Sequence, residues 1–76
     1  MAMTKRQLRQ MMKNDLIFAS LVQLHGEPVA IYKCADGGNA GKPCMEGNCV
    51  NGRMLIMRCN ESNGCDQYDV VPCTGV

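Results

Sequence analysis

The chain has 76 residues, of which 46% are hydrophobic and 20% charged, and its formal net charge is +1. This length allows one small domain, 1–76, whose limited core needs staples such as disulfides or a metal. The near-neutral charge excludes a general electrostatic affinity for nucleic acid. No apolar run approaches the roughly 20 residues of a transmembrane helix, so we expect no association with a membrane.

The N-terminal segment 4–25 has the pattern of an amphipathic helix. Thr4 and Gln7 fit a capping box at its start. Gly26 and Pro28 are typical of a helix end. Apolar residues recur at helical spacing along one face, at Leu8, Met12, Leu16, Ala19 and Val22. The sequence therefore predicts one continuous helix here.

Two features of this helix predict partners. After Leu16 the segment is apolar nearly all round, which favours a protein partner or self-association through the helix. The first half is basic and contains no acid, and its cations are Lys5, Arg6, Arg9 and Lys13. A local basic face of this kind adds nucleic acid to the candidate partners.

The remaining segment, 28–76, is a cysteine-rich ribbon. Its composition predicts strands at 28–34, 53–58 and 67–71, and a loop at 36–43. The expected fold class is therefore α+β, with the N-terminal helix packed on a small three-stranded antiparallel sheet.

All six cysteines lie between Cys34 and Cys73, and four of them form two close pairs with Gly and Asn in the enclosed turns. Such turns bring two sulfurs to one side, and four thiolates suit tetrahedral zinc. The predicted ligands of a structural Zn²⁺ are Cys44, Cys49, Cys59 and Cys65. A site closed by four thiolates leaves no position for water, so we expect a non-enzymatic protein without a small-molecule substrate.

The stretch 52–68, Gly-Arg-Met-Leu-Ile-Met-Arg-Cys-Asn-Glu-Ser-Asn-Gly-Cys-Asp-Gln-Tyr, resembles the second half of a zinc ribbon. It is similar to the C-terminal ribbons of bacterial type I topoisomerases and to phage late-gene activators of the Ogr/Delta type. The first pair, Cys44 and Cys49, encloses four residues, whereas those families have two. The resemblance implies zinc and an adaptor or regulator that contacts nucleic acid or a protein of the transcription machinery.

The hairpin register offers a different ligand set. Asn51-Gly52 is a strong type I′ turn signal that pairs Val50 with Arg53. Extending this register places Cys44 opposite Cys59 and turns Cys49 to the other face. Cys34 ends its predicted strand as Cys59 does, so Cys34 is the alternative ligand.

A disulfide framework is the main alternative to zinc. The cysteine gaps of 9, 4, 9, 5 and 7 residues, and the stretch 43–49, resemble an EGF-like extracellular module. That resemblance implies the bonds Cys34–Cys49, Cys44–Cys59 and Cys65–Cys73. A third alternative, based on small size and the excess apolar helix, is a phage- or plasmid-type inhibitor of a host protein.

Residues 5–22 have the order of a signal peptide, with a basic segment before an apolar one. The apolar segment is short, however, and Asp15 abuts it. We therefore expect a cytoplasmic protein, and a reducing cytoplasm favours metal over disulfides.

Overall fold

The computed structural model describes residues 3–34 and 39–74, which form two helices and four strands. These are α1 (Lys5–Asn14), α2 (Leu16–His25), β1 (Val29–Ala30), β2 (Pro43–Glu46), β3 (Arg53–Cys59) and β4 (Cys65–Pro72). The strands form one antiparallel sheet in the order β1-β2-β3-β4. The α+β class is confirmed, but the sheet has four strands instead of the predicted three. Within the described ranges, neither helix has the length and apolarity needed to cross a bilayer.

The predicted helix over 4–25 is divided at Asp15. The capping box at Thr4 and Gln7 is confirmed by both of its side-chain hydrogen bonds. Asp15 has extended backbone angles, φ −131° and ψ 100°, so it ends α1 and caps the N-terminus of α2. Its carboxylate accepts a 3.0 Å hydrogen bond from the amide of Phe18. The apolar periodicity continued through this position, but aspartate favours an N-cap over a helix interior.

The same carboxylate connects the helices to the sheet. Asp15 Oδ2 accepts a 2.6 Å hydrogen bond from the hydroxyl of Tyr68 on β4. The Tyr68 ring also contacts Phe18, with 4.9 Å between ring centroids. The Tyr68 hydroxyl, followed by the Phe18 amide, lowers the pKa of Asp15 from its ordinary value of 3.8. One residue thus ends a helix, begins the next and holds the pair against β4.

The two C-terminal strand predictions are confirmed, with β4 longer than expected, but the earlier part of the sheet differs. The predicted strand over 28–34 contributes only the two residues of β1, and β2 was not predicted. In the predicted loop over 36–43, the structure describes 39–43, where Ala40 and Gly41 form a turn, and residues 36–38 lie outside the described residues. The Asn51-Gly52 turn is confirmed by positive φ at both residues and by pairing of Val50 with Arg53.

The core lies between the helices and one face of the sheet. Alternate residues of β3, Leu55, Met57 and Cys59, are fully buried on this face. They pack with Phe18 and Val22 of α2. On the opposite face, Arg58 of β3 forms a 3.3 Å ion pair with Asp69 of β4. The sheet therefore has one face covered by the helices and one more polar face.

We expect Tyr68→Phe to reduce stability at neutral pH and to have less effect in acid. The Asp15 pKa is lowered in the folded state, so its contribution is complete above the ordinary pKa and is lost as pH falls through the folded pKa. Phenylalanine removes the hydrogen bond that is the largest cause of this shift and keeps the ring contact. Thermal unfolding at about pH 7 and about pH 2 measures the difference.

Tyr32→Phe is the matched control. It removes a tyrosine hydroxyl that donates a 3.0 Å hydrogen bond to the neutral side chain of Asn39. Its effect on the unfolding temperature should be the same at both pH values. An effect of Tyr68→Phe that is equally independent of pH would show that the Asp15 carboxylate does not depend on Tyr68.

Candidate functional site

Three disulfide bonds join the six cysteines in pairs: Cys34–Cys59, Cys44–Cys65 and Cys49–Cys73. Their Cα–Cα distances are 5.8, 6.1 and 6.1 Å, which are ordinary for disulfides. None of these bonds matches the pairing implied by the EGF-like resemblance. Each bond closes a long loop, with sequence separations of 25, 21 and 24 residues, and each should stabilise the fold by roughly 3–4 kcal/mol.

Two of the bonds lie side by side in the core and bring four sulfurs together. We call this group the sulfur cluster; its members are Cys34, Cys44, Cys59 and Cys65. The Sγ atoms of Cys34, Cys44 and Cys65 all lie within 4.8 Å of one another, and Cys59 is bonded to Cys34. No member is more than 3% exposed. The cluster is therefore part of the hydrophobic core, where helix residues pack on it.

Main-chain hydrogen bonds hold the cluster residues in position independently of the sulfurs. Cys59 and Cys65 are register partners of β3 and β4. The loop between them is organised by Asn60, whose Oδ1 accepts hydrogen bonds from the amides of Ser62 and Gly64, both at 2.8 Å. The side-chain nitrogen of Asn60, Nδ2, donates a 2.9 Å hydrogen bond to the carboxylate of Asp66. This loop therefore places Cys59 and Cys65 side by side through contacts that do not involve their sulfurs.

Main-chain hydrogen bonds also connect Cys44 to the segment that precedes Cys34. The carbonyl oxygen of Cys44 accepts hydrogen bonds from the amides of Ile31, at 2.9 Å, and Tyr32, at 3.2 Å. These contacts bring the segment that leads to Cys34 alongside β2. In addition, the Cys59 amide donates to the carbonyl of Lys42 at 2.9 Å. Cys44, Cys59 and Cys65 thus each take part in a main-chain contact, and Cys34 follows a segment that does.

The predicted zinc ligands are divided by the structure. Cys44, Cys59 and Cys65 belong to the sulfur cluster, whereas Cys49 is bonded to Cys73 and is not among the clustered sulfurs. Cys34 occupies the fourth place in the cluster, as the hairpin register suggested. The predicted pairing of Cys44 with Cys59 is shifted. The register is already displaced by one residue at Glu46, which lies opposite Ile56, and the bulge between Pro43 and Met45 displaces it again. Zinc itself stays a prediction.

A second candidate surface is the outward side of α2. We call it the α2 face; it consists of Leu16, Ile17 and Leu24, whose side chains are 78, 71 and 57% exposed. Between them, the Ser20 hydroxyl donates a 3.0 Å hydrogen bond to the carbonyl of Leu16. The opposite side of α2 is buried against the sheet. This helix is therefore apolar on both sides, as its sequence predicted.

Further exposed apolar residues follow α2 in the chain. Val29 is 63% exposed, Ile31 48% and Tyr32 38%. They lie on or just after β1, which pairs only with β2 and so forms one edge of the sheet. This exposure was not predicted from the sequence, which indicated a longer strand over 28–34.

The predicted basic residues all lie on α1 and are exposed: Lys5, Arg6, Arg9 and Lys13. In the part of the chain that the structure describes, the only ion pair joins Arg58 and Asp69. Spacings of four residues place Lys5, Arg9 and Lys13 along one side of the helix. The structure therefore presents these cations as an accessible basic stripe.

The single histidine is part of the packing. His25 ends α2 and is 2% exposed, with its Nδ1 3.3 Å from the carbonyl oxygen of Asn48. The Asn48 amide in turn donates a 2.7 Å hydrogen bond to the carbonyl of His25. Gly47 permits this approach, because a Cβ there would lie 3.2 Å from the His25 carbonyl oxygen. His25 therefore fixes the C-terminus of α2 against the turn after β2.

A groove of about 660 Å³ lies between α1 and the loop before β4. Its walls include Met3, Met11, Gln10, Gly64 and Cys65. Cys65, which is 3% exposed, lies at its inner wall.

We expect mild reduction of the native protein to open Cys49–Cys73 first. Both of its cysteines are half-buried, whereas the four cluster cysteines are at most 3% exposed, and thiol–disulfide exchange requires access to a sulfur. Brief treatment with dithiothreitol, alkylation and peptide mass spectrometry identifies the bond that opens. In denaturant this preference should disappear, which is the control. Earlier labelling of any cluster cysteine in the native protein would contradict the assignment.

Comparison of this chain with family models, curated proteins and solved structures finds no match. Neither the zinc-ribbon resemblance nor the EGF-like resemblance is tested by that outcome. The physical features that bear on function are the α2 face and the basic stripe of α1.

Proposed function

We propose that this protein is a small non-enzymatic binding module that contacts a protein partner through the α2 face. The observation that carries the proposal is the exposure of Leu16, Ile17 and Leu24, from 57 to 78%, on a helix whose other side is buried in the core. In this proposal the cysteine-stapled sheet is the scaffold that holds the helix.

The energetics favour contact over solvent exposure. Full burial of a Leu or Ile side chain is worth about 1.5–3 kcal/mol. The three residues of the α2 face could thus supply a substantial part of an interface. The Ser20 hydroxyl between them is already bonded to a carbonyl within the helix, so a partner would cover it without leaving that hydroxyl unpaired.

The remaining chemistry supports a binding role over catalysis. The single histidine is buried at a helix end, and the six cysteines are in disulfides. Nucleophilic catalysis generally needs a nucleophile within hydrogen-bond reach of a base. Neither residue type offers such a pair here. We accordingly propose no enzymatic activity and no small-molecule substrate.

A second candidate function is binding of nucleic acid through α1. A specific observation favours it: Lys5 and Arg6 lie in the first turn, where the helix dipole disfavours cations. No acidic residue occurs in that turn to offset them. Cations retained at an unfavourable position are consistent with an external anionic contact. The zinc-ribbon resemblance points to the same class of partner.

We expect Ile17→Ser and Leu24→Ser each to weaken binding of a protein partner by about tenfold or more, since burial of one Leu or Ile side chain is worth about 1.5–3 kcal/mol and about 1.4 kcal/mol is tenfold. The immobilised protein would capture candidate partners. Each candidate would then be purified and its Kd measured against wild type and variants by calorimetry. Gln23→Ser is the matched control, because it changes an exposed polar residue of the same helix.

Sedimentation of the protein alone should be measured in parallel. A wild-type dimer that Ile17→Ser converts to monomer would identify the partner as a second copy of the chain. A purified partner whose Kd responds to neither Ile17→Ser nor Leu24→Ser would refute the α2 face as the binding surface.

For the second candidate, we expect the Lys5/Arg6/Arg9→Ala variant to lose affinity for a fluorescent DNA duplex. The slope of log K against log salt should become shallower by about 0.9 for each lost phosphate contact. Arg53→Ala, which changes an exposed cation on β3, is the control. If neither affinity nor slope differs from wild type, the basic stripe does not bind nucleic acid.

A further inference from the structure

The sulfur cluster has the ligand number, ligand chemistry and near-contact spacing of a tetrahedral metal site. With Zn–S distances near 2.3 Å, the sulfurs of a zinc tetrathiolate lie about 3.8 Å apart. Three of the four cluster sulfurs already lie within 4.8 Å of one another, and the fourth is bonded to one of these three. Cys59 is not among the three mutually close sulfurs, so closing the tetrahedron requires its side chain to move toward Cys44 and Cys65 once the S–S bonds are absent.

Main-chain contacts favour the same arrangement of these residues in the folded chain, and zinc binding would supply the free energy that reduction of the disulfides removes. Cys59 and Cys65 remain adjacent through the strand register and the Asn60 loop. The carbonyl of Cys44 holds the segment leading to Cys34. The groove beside Cys65 would be the entry path for the ion. Zinc binding would thus be coupled to folding of the reduced chain around these four residues.

We propose that the reduced protein binds one Zn²⁺ through Cys34, Cys44, Cys59 and Cys65, with Cys49 and Cys73 outside the site. The same four sulfurs thus serve two mutually exclusive staples: two disulfides in an oxidising environment and one zinc ion in a reducing one. This ligand set differs from the set predicted from sequence in the replacement of Cys49 by Cys34. It concerns the staple and is independent of the proposed function of the α2 face.

Conversion of the disulfide-bonded chain to the zinc-bound chain requires a reductant. Two molecules of a dithiol reductant supply four electrons and four protons, so two protein S–S bonds break to four thiols while each dithiol closes to a cyclic disulfide. Zn²⁺ then replaces the proton of each thiol, four Zn–S bonds form, and four protons pass to solvent. Zinc affinity should consequently fall as pH falls.

One contact must change when zinc binds. Cys44 Sγ lies 3.3 Å from the carbonyl oxygen of Met57. A thiol at this position can donate its proton to that oxygen, whereas a thiolate would be repelled by it. The Cys44 side chain therefore turns from Met57 toward the other three sulfurs on binding the ion.

The test uses the full chain, reduced with excess dithiol that is removed under nitrogen before metal is added. Native mass spectrometry should show one Zn²⁺ per chain. N-ethylmaleimide should then label Cys49 and Cys73 and leave the four cluster cysteines protected, whereas without zinc all six should react. Binding of Zn²⁺ with no protection of the cluster, or no binding at all, would overturn the proposal.

Two matched variants separate this ligand set from the one containing Cys49. Cys49→Ser should bind Zn²⁺ with the affinity of wild type. Loss of a residue outside the ligand shell typically lowers metal affinity about 10–100-fold, and Cys34→Ser, which removes a ligand, should lower it further. Equal losses in the two variants would place Cys49 in the site and overturn the proposal.

Cys34→His covers the case in which Cys34→Ser fails to fold, because imidazole is itself a zinc and cobalt ligand. The variant should bind Co²⁺, and its absorption bands should shift from those of the wild-type tetrathiolate because one sulfur ligand has become nitrogen. A Co²⁺ spectrum identical to that of wild type would show that residue 34 is not a ligand.

Discussion

The sulfur cluster is the constraint on which the rest of the structure depends. Cys34–Cys59 and Cys44–Cys65 join the segment after β1 and strands β2, β3 and β4 at one place in the core. A chain of 76 residues with one Phe and no Trp has little apolar volume with which to hold four strands and two helices. Buried sulfurs act both as small apolar groups and as cross-links. They replace much of the core that the chain lacks.

The junction at Asp15 determines how the helices cover that cluster. Without it, the segment 4–25 would form one rod about 30 Å long that could not fold back over a small sheet. The break allows Leu8 of α1 and Phe18 of α2 to enter the same core. Since α2 is apolar nearly all round, burial of Phe18 and Val22 leaves Leu16, Ile17 and Leu24 in solvent. The α2 face thus follows from composition once the inner side of the helix is fixed.

Local signals predicted the parts of this structure that depend on neighbours in sequence. The capping box at Thr4, the positive φ at Gly26 and the Asn51-Gly52 turn were all identified from a few residues. The division of the helix was not predicted, because the apolar periodicity runs through Asp15 and outweighed its local N-cap signal. The hydrogen bond from Tyr68, 53 residues away, joins this junction to the sheet and has no local signal. β2 was missed since Pro-Cys-Met-Glu has no β-branched residue; its pairing with both neighbours makes it a strand.

The cysteine pairings likewise depend on contacts between residues that are distant in sequence. Six cysteines permit 15 pairings, and spacing alone does not choose among them. The hairpin register correctly indicated that Cys49 would leave the other sulfurs, but the bulge in β2 was needed to bring Cys44 to Cys65. The sequence placed both Cys34 and Cys59 at the end of a predicted strand, and these two residues are bonded to each other.

The α2 face and the sulfur cluster lie on opposite sides of α2. The exposure of one and the packing of the other therefore depend on the same helix. Phe18 and Val22 pack against the cluster from the inner side of α2, and the α2 face is its outer side. If zinc replaces the two disulfides and the cluster residues keep their positions, α2 stays docked and the α2 face stays exposed. Loss of every staple would remove the surface on which α2 packs, and a helix of only 10 residues is marginal in isolation. Exposure of the α2 face on a docked helix therefore depends on the cluster residues staying together, while the identity of the staple, disulfide or metal, does not alter the face itself.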